Sequence, residues 1–318
     1  MIGIADIASY IPPGRESNLE KLEKFGIDRA FIDEKIGVYE VSRKRPEDDT
    51  SDLCMAAFAE LAKRRPIDKD GIDCIVVCTQ NPDGRGLPHV SAVLHGRLGL
   101  GRACASFDIS LGCSGFVYSL SVVKAFMEAN GLSRGLLFTA DPYSKILDPD
   151  DKNTVLLFGD GATVTLLESA TAKHPLLAPV RFAAETNGTQ SGALCNVDGK
   201  LRMNGRQVFQ YSATAVPEQI RATLAAARLK PEDIDLFLFH QGSKYIVDAV
   251  AKRLELPAPK VPTNLAHHGN TVSSTIPLLL EPIVHDARVR RVLACGFGVG
   301  LSTATCILER VPASKRKS

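Results

Sequence analysis

The sequence predicts an α/β protein built as two pseudo-symmetric halves around one shared core. Three observations point there. The 318 residues are 45% hydrophobic, enough for a large buried interior. One order of helix, buried strand, helix, strand and hairpin is written twice along the chain. Short apolar runs bounded by turn residues alternate with helical patterns, as expected of sheets buried between helix layers.

The repeat can be followed segment by segment. "SDLCMAAFAELAKRRPIDKDGIDCIVVCT" (51–79) reads as a helix, a turn and a buried strand, and "VPEQIRATLAAARLKPEDIDLFLFHQ" (216–241) has the same plan, down to the "ID" before the strand. The helix "LPHVSAVLHGRLGL" (87–100) has its counterpart in "SKYIVDAVAKRLEL" (243–256). "RGLLFTAD" (134–141) matches "RRVLACGF" (290–297), and "FGDGATVTLLE" (158–168) matches "GVGLSTATCILE" (298–309). The halves are expected to cover 1–170 and 171–318.

Composition excludes several classes. The formal charge of +2 makes no case for nucleic acid. No apolar run is long enough to span a bilayer, and "MIGIADIASYIPPG" lacks the basic start and long apolar run of a signal peptide. The expected location is the cytoplasm. The basic tail "SKRKS" (314–318) reads as a solvated end. None of the eight cysteines forms a CxxC pair, and Cys74 and Cys78 in "CIVVC" face one side of a strand as small core residues in a reducing compartment. The seven histidines show no metal-binding spacing, so no metal is expected.

The stretch "SFDISLGCSGFVYSL" (106–120) carries the first chemical signal. A strand pattern over 106–111 gives way to a helix from Phe116, stopped at Gly131. Cys113 lies between glycines at that junction, near a helix N-terminus whose free N–H groups favour a thiolate. The repeat places "VPTNLAHHGNTVSSTIPLLL" (261–280) at the equivalent turn: a strand-like stretch, a glycine, then a helix of small residues. His240 ends the strand "LFLFH". Cys113, His240 and Asn270 are therefore expected at strand ends near the pseudo-dyad, where α/β proteins place their sites. Read singly, Cys113 also fits a core position, His240 a strand end and Asn270 a helix cap. The glycines of "GFGVG" (296–300) are no dinucleotide fingerprint, because Leu301 follows and "LSTATCIL" continues as a strand. A glycine loop there would instead bring a backbone N–H close to a reacting carbonyl.

Together these residues resemble the ketoacyl synthase III family of the thiolase superfamily, nearly end to end. The matching pieces are "FIDEKIGV" (31–38), "FDISLGCSGFVYSL", "FGDGAT", "LRMNGRQVF" (201–209), "FHQGSKY" (239–245), "HHGNTVSS" (267–274) and "GFGVGLS". The resemblance implies a five-layered αβαβα thiolase-like fold and a homodimer. It implies a catalytic triad of Cys113, His240 and Asn270, with an oxyanion hole from the backbone N–H groups of Cys113 and Val299. It also implies a pantetheine channel near Gly205 and Phe209, and Phe297 lining the acyl pocket. The implied reaction is a decarboxylative Claisen condensation of an acyl thioester with a malonyl-acyl carrier protein, through an acyl-Cys113 intermediate. Acyl-coenzyme A or acyl carrier protein thioesters are substrates, and no resident cofactor is implied.

Departures from the family pattern carry expectations of their own. Phe31 and Lys152 stand where members that use coenzyme A carry Trp and Arg, which points to an acyl carrier protein as primer donor. Ser243 replaces the asparagine that orients the catalytic asparagine, so a serine would have to orient Asn270. The loop "QNPDGRGLPH" (80–89) is longer than in fatty-acid members, and Asp83, Arg85 and Leu87 would shape the partner's acyl pocket. Lys152, Arg206, Lys244 and Arg253 are the cations available to dock an acidic carrier. These differences point to a specialised pathway. Two further readings stay open: a same-fold acyltransferase that uses His240 as a base without decarboxylation, and a non-catalytic subunit of a synthase.

Overall fold

The structure is a computed structural model and describes residues 1–170 and 176–311. The tail at 314–318 lies outside the described residues, as does 171–175 beside the expected boundary between halves.

Thirteen strands are present among the described residues. The first half contributes β1 (Ile2–Tyr10), a small hairpin of β2 (Gly14–Ser17) and β3 (Glu40–Arg43), then β4 (Cys74–Cys78), β5 (Ala105–Ile109), β6 (Arg134–Ala140) and β7 (Ala162–Ser169). The second contributes β8 (Leu176–Thr186), a hairpin of β9 (Leu194–Val197) and β10 (Lys200–Met203), then β11 (Leu236–Phe239), β12 (Arg291–Gly298) and β13 (Ser302–Val311). The helices are α1 (Leu22–Phe25), α2 (Arg29–Phe31), α3 (Thr50–Arg64), α4 (Val90–Leu98), α5 (Gly115–Ala129), α6 (Lys152–Val155), α7 (Gly205–Ala227), α8 (Lys244–Arg253) and α9 (Thr275–Leu280).

The written repeat becomes a repeated strand order. The first half runs β1-β7-β6-β4-β5 and the second β8-β13-β12-β11. In both, the first two neighbouring pairs are antiparallel and the next is parallel. The halves meet where Ile4 pairs with Leu177. Among the described residues β5 has no counterpart: the strand-like stretch expected from 261 forms no strand. Pro257, Pro259 and Pro262 remove the backbone donors that a ladder needs, and a 3-10 turn occupies Ala258–Lys260.

Side-chain alternation builds five layers. Along β12, Val292 and Ala294 face inward while Leu293, Cys295 and Phe297 face outward. The inner faces of both halves clasp α5 and α9, through Phe116, Val117, Leu120 and Val123 of α5 and Ile276, Leu279 and Leu280 of α9. α3 and α4 cover the outer face of the first half, and α7 and α8 that of the second. The order is helices, sheet, α5/α9, sheet, helices. α5 therefore starts in the middle of the molecule, which buries the residue just before it.

Local signals set the helix ends. Asp49 and Asp52 form a reciprocal capping box at α3, with Asp49 N–H donating to Asp52 Oδ2 at 2.7 Å. α5 stops at Asn130, with Gly131 following at φ +66°. β4, paired in parallel on both sides, is buried throughout and reads as an unbroken apolar run for that reason.

Candidate active site

Three connections converge at the inner end of one cavity of about 440 Å³. Cys113 lies two residues before α5, His240 directly follows β11, and Asn270 sits on an isolated bridge to Phe158. All three line the cavity and are almost fully buried. The turn at Cys113 is close-packed. A side chain at Gly112 would put a carbon 2.6 Å from Gln80 Oε1 and 2.8 Å from Val299 Cγ1, and Tyr143 OH donates to that Gln80 oxygen at 3.1 Å.

The β12–β13 turn supplies the donors. Gly298 pairs with Ser302 and leans on the cysteine, so closely that an added Cβ would lie 2.7 Å from Cys113 Cβ and Sγ. Ser302 Oγ lies 2.8 Å from Ser114 Oγ and 2.9 Å from the Val299 carbonyl, tying the turn to the start of α5. The backbone N–H groups of Val299 and of Cys113 itself both reach the sulfur. The glycine loop thus brings a backbone donor to the cysteine.

Burial opposes the thiolate that the helix N-terminus favours. Burial pushes the Cys113 thiol up to about 12, outweighing the two N–H groups that pull it down. His240 is driven the other way for the same reason, down to about 3, so the imidazole is neutral. Burial thus favours the uncharged form of both side chains.

Asn270 is oriented by backbone. Val272 N–H donates to its Oδ1 at 2.8 Å, which turns its Nδ2 toward His240 Nε2, 3.4 Å away. Val272 holds φ at +55°, a left-handed conformation that strains a β-branched residue. The expected role for Ser243 does not hold: its Oγ accepts from Ile246 N–H and caps α8, and Val272 does the orienting. Asn270 does not cap α9, which Ser274 precedes; its Oδ1 accepts from the first N–H of the 3-10 turn Val272–Ser274 that leads into that helix. On the far side of the imidazole, Nδ1 lies 2.8 Å from Thr275 Oγ1. Phe297 meets the ring edge-on at 5.6 Å.

Phe31, Lys152, Gly205, Arg206, Phe209 and Ser243 line the same cavity. Lys35 and Tyr245 join them, unforeseen in the sequence: Tyr245 stacks on Phe209 at 4.8 Å and carries the Lys35 ammonium 4.5 Å above its ring. Two other cations fall elsewhere. Lys244 is paired with Asp248 one helical turn on, and Arg253 ends α8, about 15 Å along the axis from the capping Ser243. Arg85 and Leu87 do not line this chain's cavity; Leu87 is 95% exposed. Asp83 is spent on structure, accepting from Ser51 N–H at 2.8 Å.

Comparison with known proteins agrees along nearly the whole chain. Residues 107–186 match the family model for 3-Oxoacyl-[acyl-carrier-protein (ACP)] synthase III, and 224–310 match its C-terminal counterpart. Beta-ketoacyl-[acyl-carrier-protein] synthase III 2 of Streptomyces coelicolor is 34% identical, over 94% of this chain and 91% of that protein. Beta-ketoacyl-[acyl-carrier-protein] synthase III of Streptococcus gordonii is 31% identical, over 96% and 98%. Among solved structures, the beta-ketoacyl synthase III of Thermus thermophilus superposes with a TM-score of 0.89 at 30% identity, over 98% of this chain and 100% of that one. The priming beta-ketosynthase of the R1128 polyketide pathway, at 24% identity and a TM-score of 0.86, shares the fold.

Proposed function

The chain belongs to the 3-oxoacyl-(acyl-carrier-protein) synthase III family, and from that premise we propose that it condenses an acyl thioester with a malonyl-acyl carrier protein, with loss of carbon dioxide. The observation that carries this reading is the pair of nitrogens, His240 Nε2 and Asn270 Nδ2, 3.4 Å apart at the cavity end that also holds Cys113. That spacing is long for a bond between the two. It suits one oxygen placed about 2.9 Å from each.

The chemistry runs in two stages. In the first, Cys113 Sγ attacks the acyl carbonyl, and the N–H groups of Cys113 and Val299 take the tetrahedral oxygen. The bond to the carrier sulfur breaks, and the proton from Cys113 ends on the departing thiol. In the second, the malonyl C–C bond breaks and its electron pair becomes an enolate. The oxygen of that enolate is held by His240 and Asn270, where the charge develops. The carbanion attacks acyl-Cys113, a 3-oxoacyl thioester forms, and the released Cys113 thiolate is reprotonated from solvent. A neutral His240 fits this role as a hydrogen-bond donor. The same burial weakens the alternative, an acyltransferase with His240 as general base, because a group held down at about 3 is a poor proton acceptor.

The cavity walls suit a pantetheine arm, and Lys35, Lys152 and Arg206 lend positive charge to the lining for an anionic carrier. The reading extends to a homodimer. Among the described residues β5 pairs with β4 alone and ends the sheet, carrying Phe107 and Ile109, and Leu87 projects from the loop before α4. Sedimentation at micromolar concentration is expected to give twice the chain mass of 34.2 kDa; a monomer rejects the extension.

Asn270→Ala tests the reaction. Carbon dioxide release from malonyl-carrier is expected to fall by about 10²-fold or more, with acylation of Cys113 retained. Unchanged release removes Asn270 from the enolate site.

A further inference from the structure

A neutral imidazole carries one ring proton, and the enolate role proposed above needs it on Nε2. Burial keeps His240 neutral, so its neighbours decide which nitrogen holds that proton. Two groups face Nδ1. One is the Thr275 hydroxyl, with Oγ1 at 2.8 Å. The other is the Val272 carbonyl, which bonds the ring beside that hydroxyl, 3.0 Å from Oγ1, can only accept and so favours a proton on Nδ1. A hydroxyl can donate instead, and a donor at Nδ1 places the ring proton on Nε2.

The Thr275 hydroxyl donates to the Val272 carbonyl in the structure and can turn to Nδ1. That carbonyl already receives the backbone N–H of Thr275. Turning the hydroxyl toward Nδ1 therefore leaves no buried acceptor without a partner. On the opposite edge of the ring, Asn270 Nδ2 stands 3.4 Å from Nε2, too far for a firm bond that would demand a lone pair there. The whole set sits on one short segment. Val272, strained at φ +55°, fixes Asn270 through its N–H, and Thr275 lies three residues on, at the first position of α9.

We infer that Thr275 is the positioning residue of this site: its hydroxyl donates to His240 Nδ1 and holds the imidazole as the Nε2–H tautomer that meets the enolate. The inference rests on the condensation reading and adds a residue to it. Thr275 touches no substrate in this arrangement and acts through the ring alone.

Thr275→Val keeps the shape and removes the hydroxyl, leaving Nδ1 facing the Val272 carbonyl. The ring proton is then expected to move to Nδ1, read from the ¹⁵N shifts of His240 in labelled protein and assigned against His240→Ala. Decarboxylation of malonyl-carrier by the acylated enzyme is expected to fall about 10²-fold, the effect of losing one donor at a developing oxyanion. Intact-mass measurement should still find Cys113 loaded, and Thr275→Ser should restore both tautomer and rate. Thr275→Ala gives a second hydroxyl-free variant if the valine fails to fold. Wild-type protein with its ring proton on Nδ1, or a hydroxyl-free variant with full decarboxylation, overturns the inference and leaves the condensation standing. Wild-type protein that releases no carbon dioxide from any malonyl donor overturns the condensation reading, while the ring shifts still decide the tautomer.

Discussion

Cys113→Ala is expected to abolish acylation of the chain and to lower condensation by about 10⁴-fold or more, the scale on which a covalent nucleophile is lost. Intact-mass measurement with short acyl thioesters should show one acyl group on the wild type and none on the variant. The other seven cysteines are not expected to substitute. Cys54, Cys74, Cys78, Cys295 and Cys306 are sealed in the core, while Cys104 and Cys195 lie outside the cavity. The pH dependence has a definite sign. Burial raises the Cys113 thiol to about 12, so the thiolate fraction climbs by about tenfold per pH unit throughout the neutral range. Alkylation by a small neutral electrophile without substrate should therefore rise steadily from pH 6 to 9. A plateau near neutrality would mean that the helix terminus and the two N–H groups outweigh burial.

Gly298→Ala has the second large effect, because it acts on the same sulfur from the opposite wall. The new Cβ would lie 2.7 Å from Cys113 Cβ and Sγ, and φ at +152° disfavours any side chain. Overpacking of this kind costs about 1–3 kcal/mol. The strain falls on the turn whose Val299 N–H reaches the sulfur, so acylation is expected to drop by about 10²-fold, as when one oxyanion donor is misplaced. Thermal unfolding should also begin at a lower temperature. Acylation at the wild-type rate would show that the β12–β13 turn does not hold the reacting carbonyl.

Much of this arrangement was legible in the sequence, for a physical reason. Periodic apolar runs and turn residues are local, and the repeat doubled each signal. The pairs β4/β11, β6/β12 and β7/β13 were therefore readable before any coordinate. Cys113, His240 and Asn270 stood out because polar residues at the ends of apolar strands need a purpose. The missing counterpart of β5 was also in the text, as Pro257, Pro259 and Pro262, but apolar spacing at 261 obscured it. The depth at which Cys113 is buried is not legible from local pattern alone. The helix start is a local feature, whereas the burial that opposes it comes from both sheets closing on α5. Thr275 and Val272 were not legible as site residues, because their importance lies in a hydroxyl direction and a backbone angle. Lys244 and Arg253 looked equivalent to Arg206 as charges; only three dimensions separate a cation already paired, or at the far end of a helix, from one that lines the cavity.

The most direct test of condensation through Cys113 is a single-turnover chase. Enzyme loaded with a labelled acyl group is isolated, mixed with malonyl-acyl carrier protein, and followed for acyl mass on the protein and for carbon dioxide. The acyl mass is expected to disappear as one carbon dioxide forms per acyl group, with the label recovered in a 3-oxoacyl carrier longer by two carbons. Loss of the acyl group to a hydroxyl or amine acceptor without carbon dioxide, or carbon dioxide release with the acyl group still on Cys113, would contradict it.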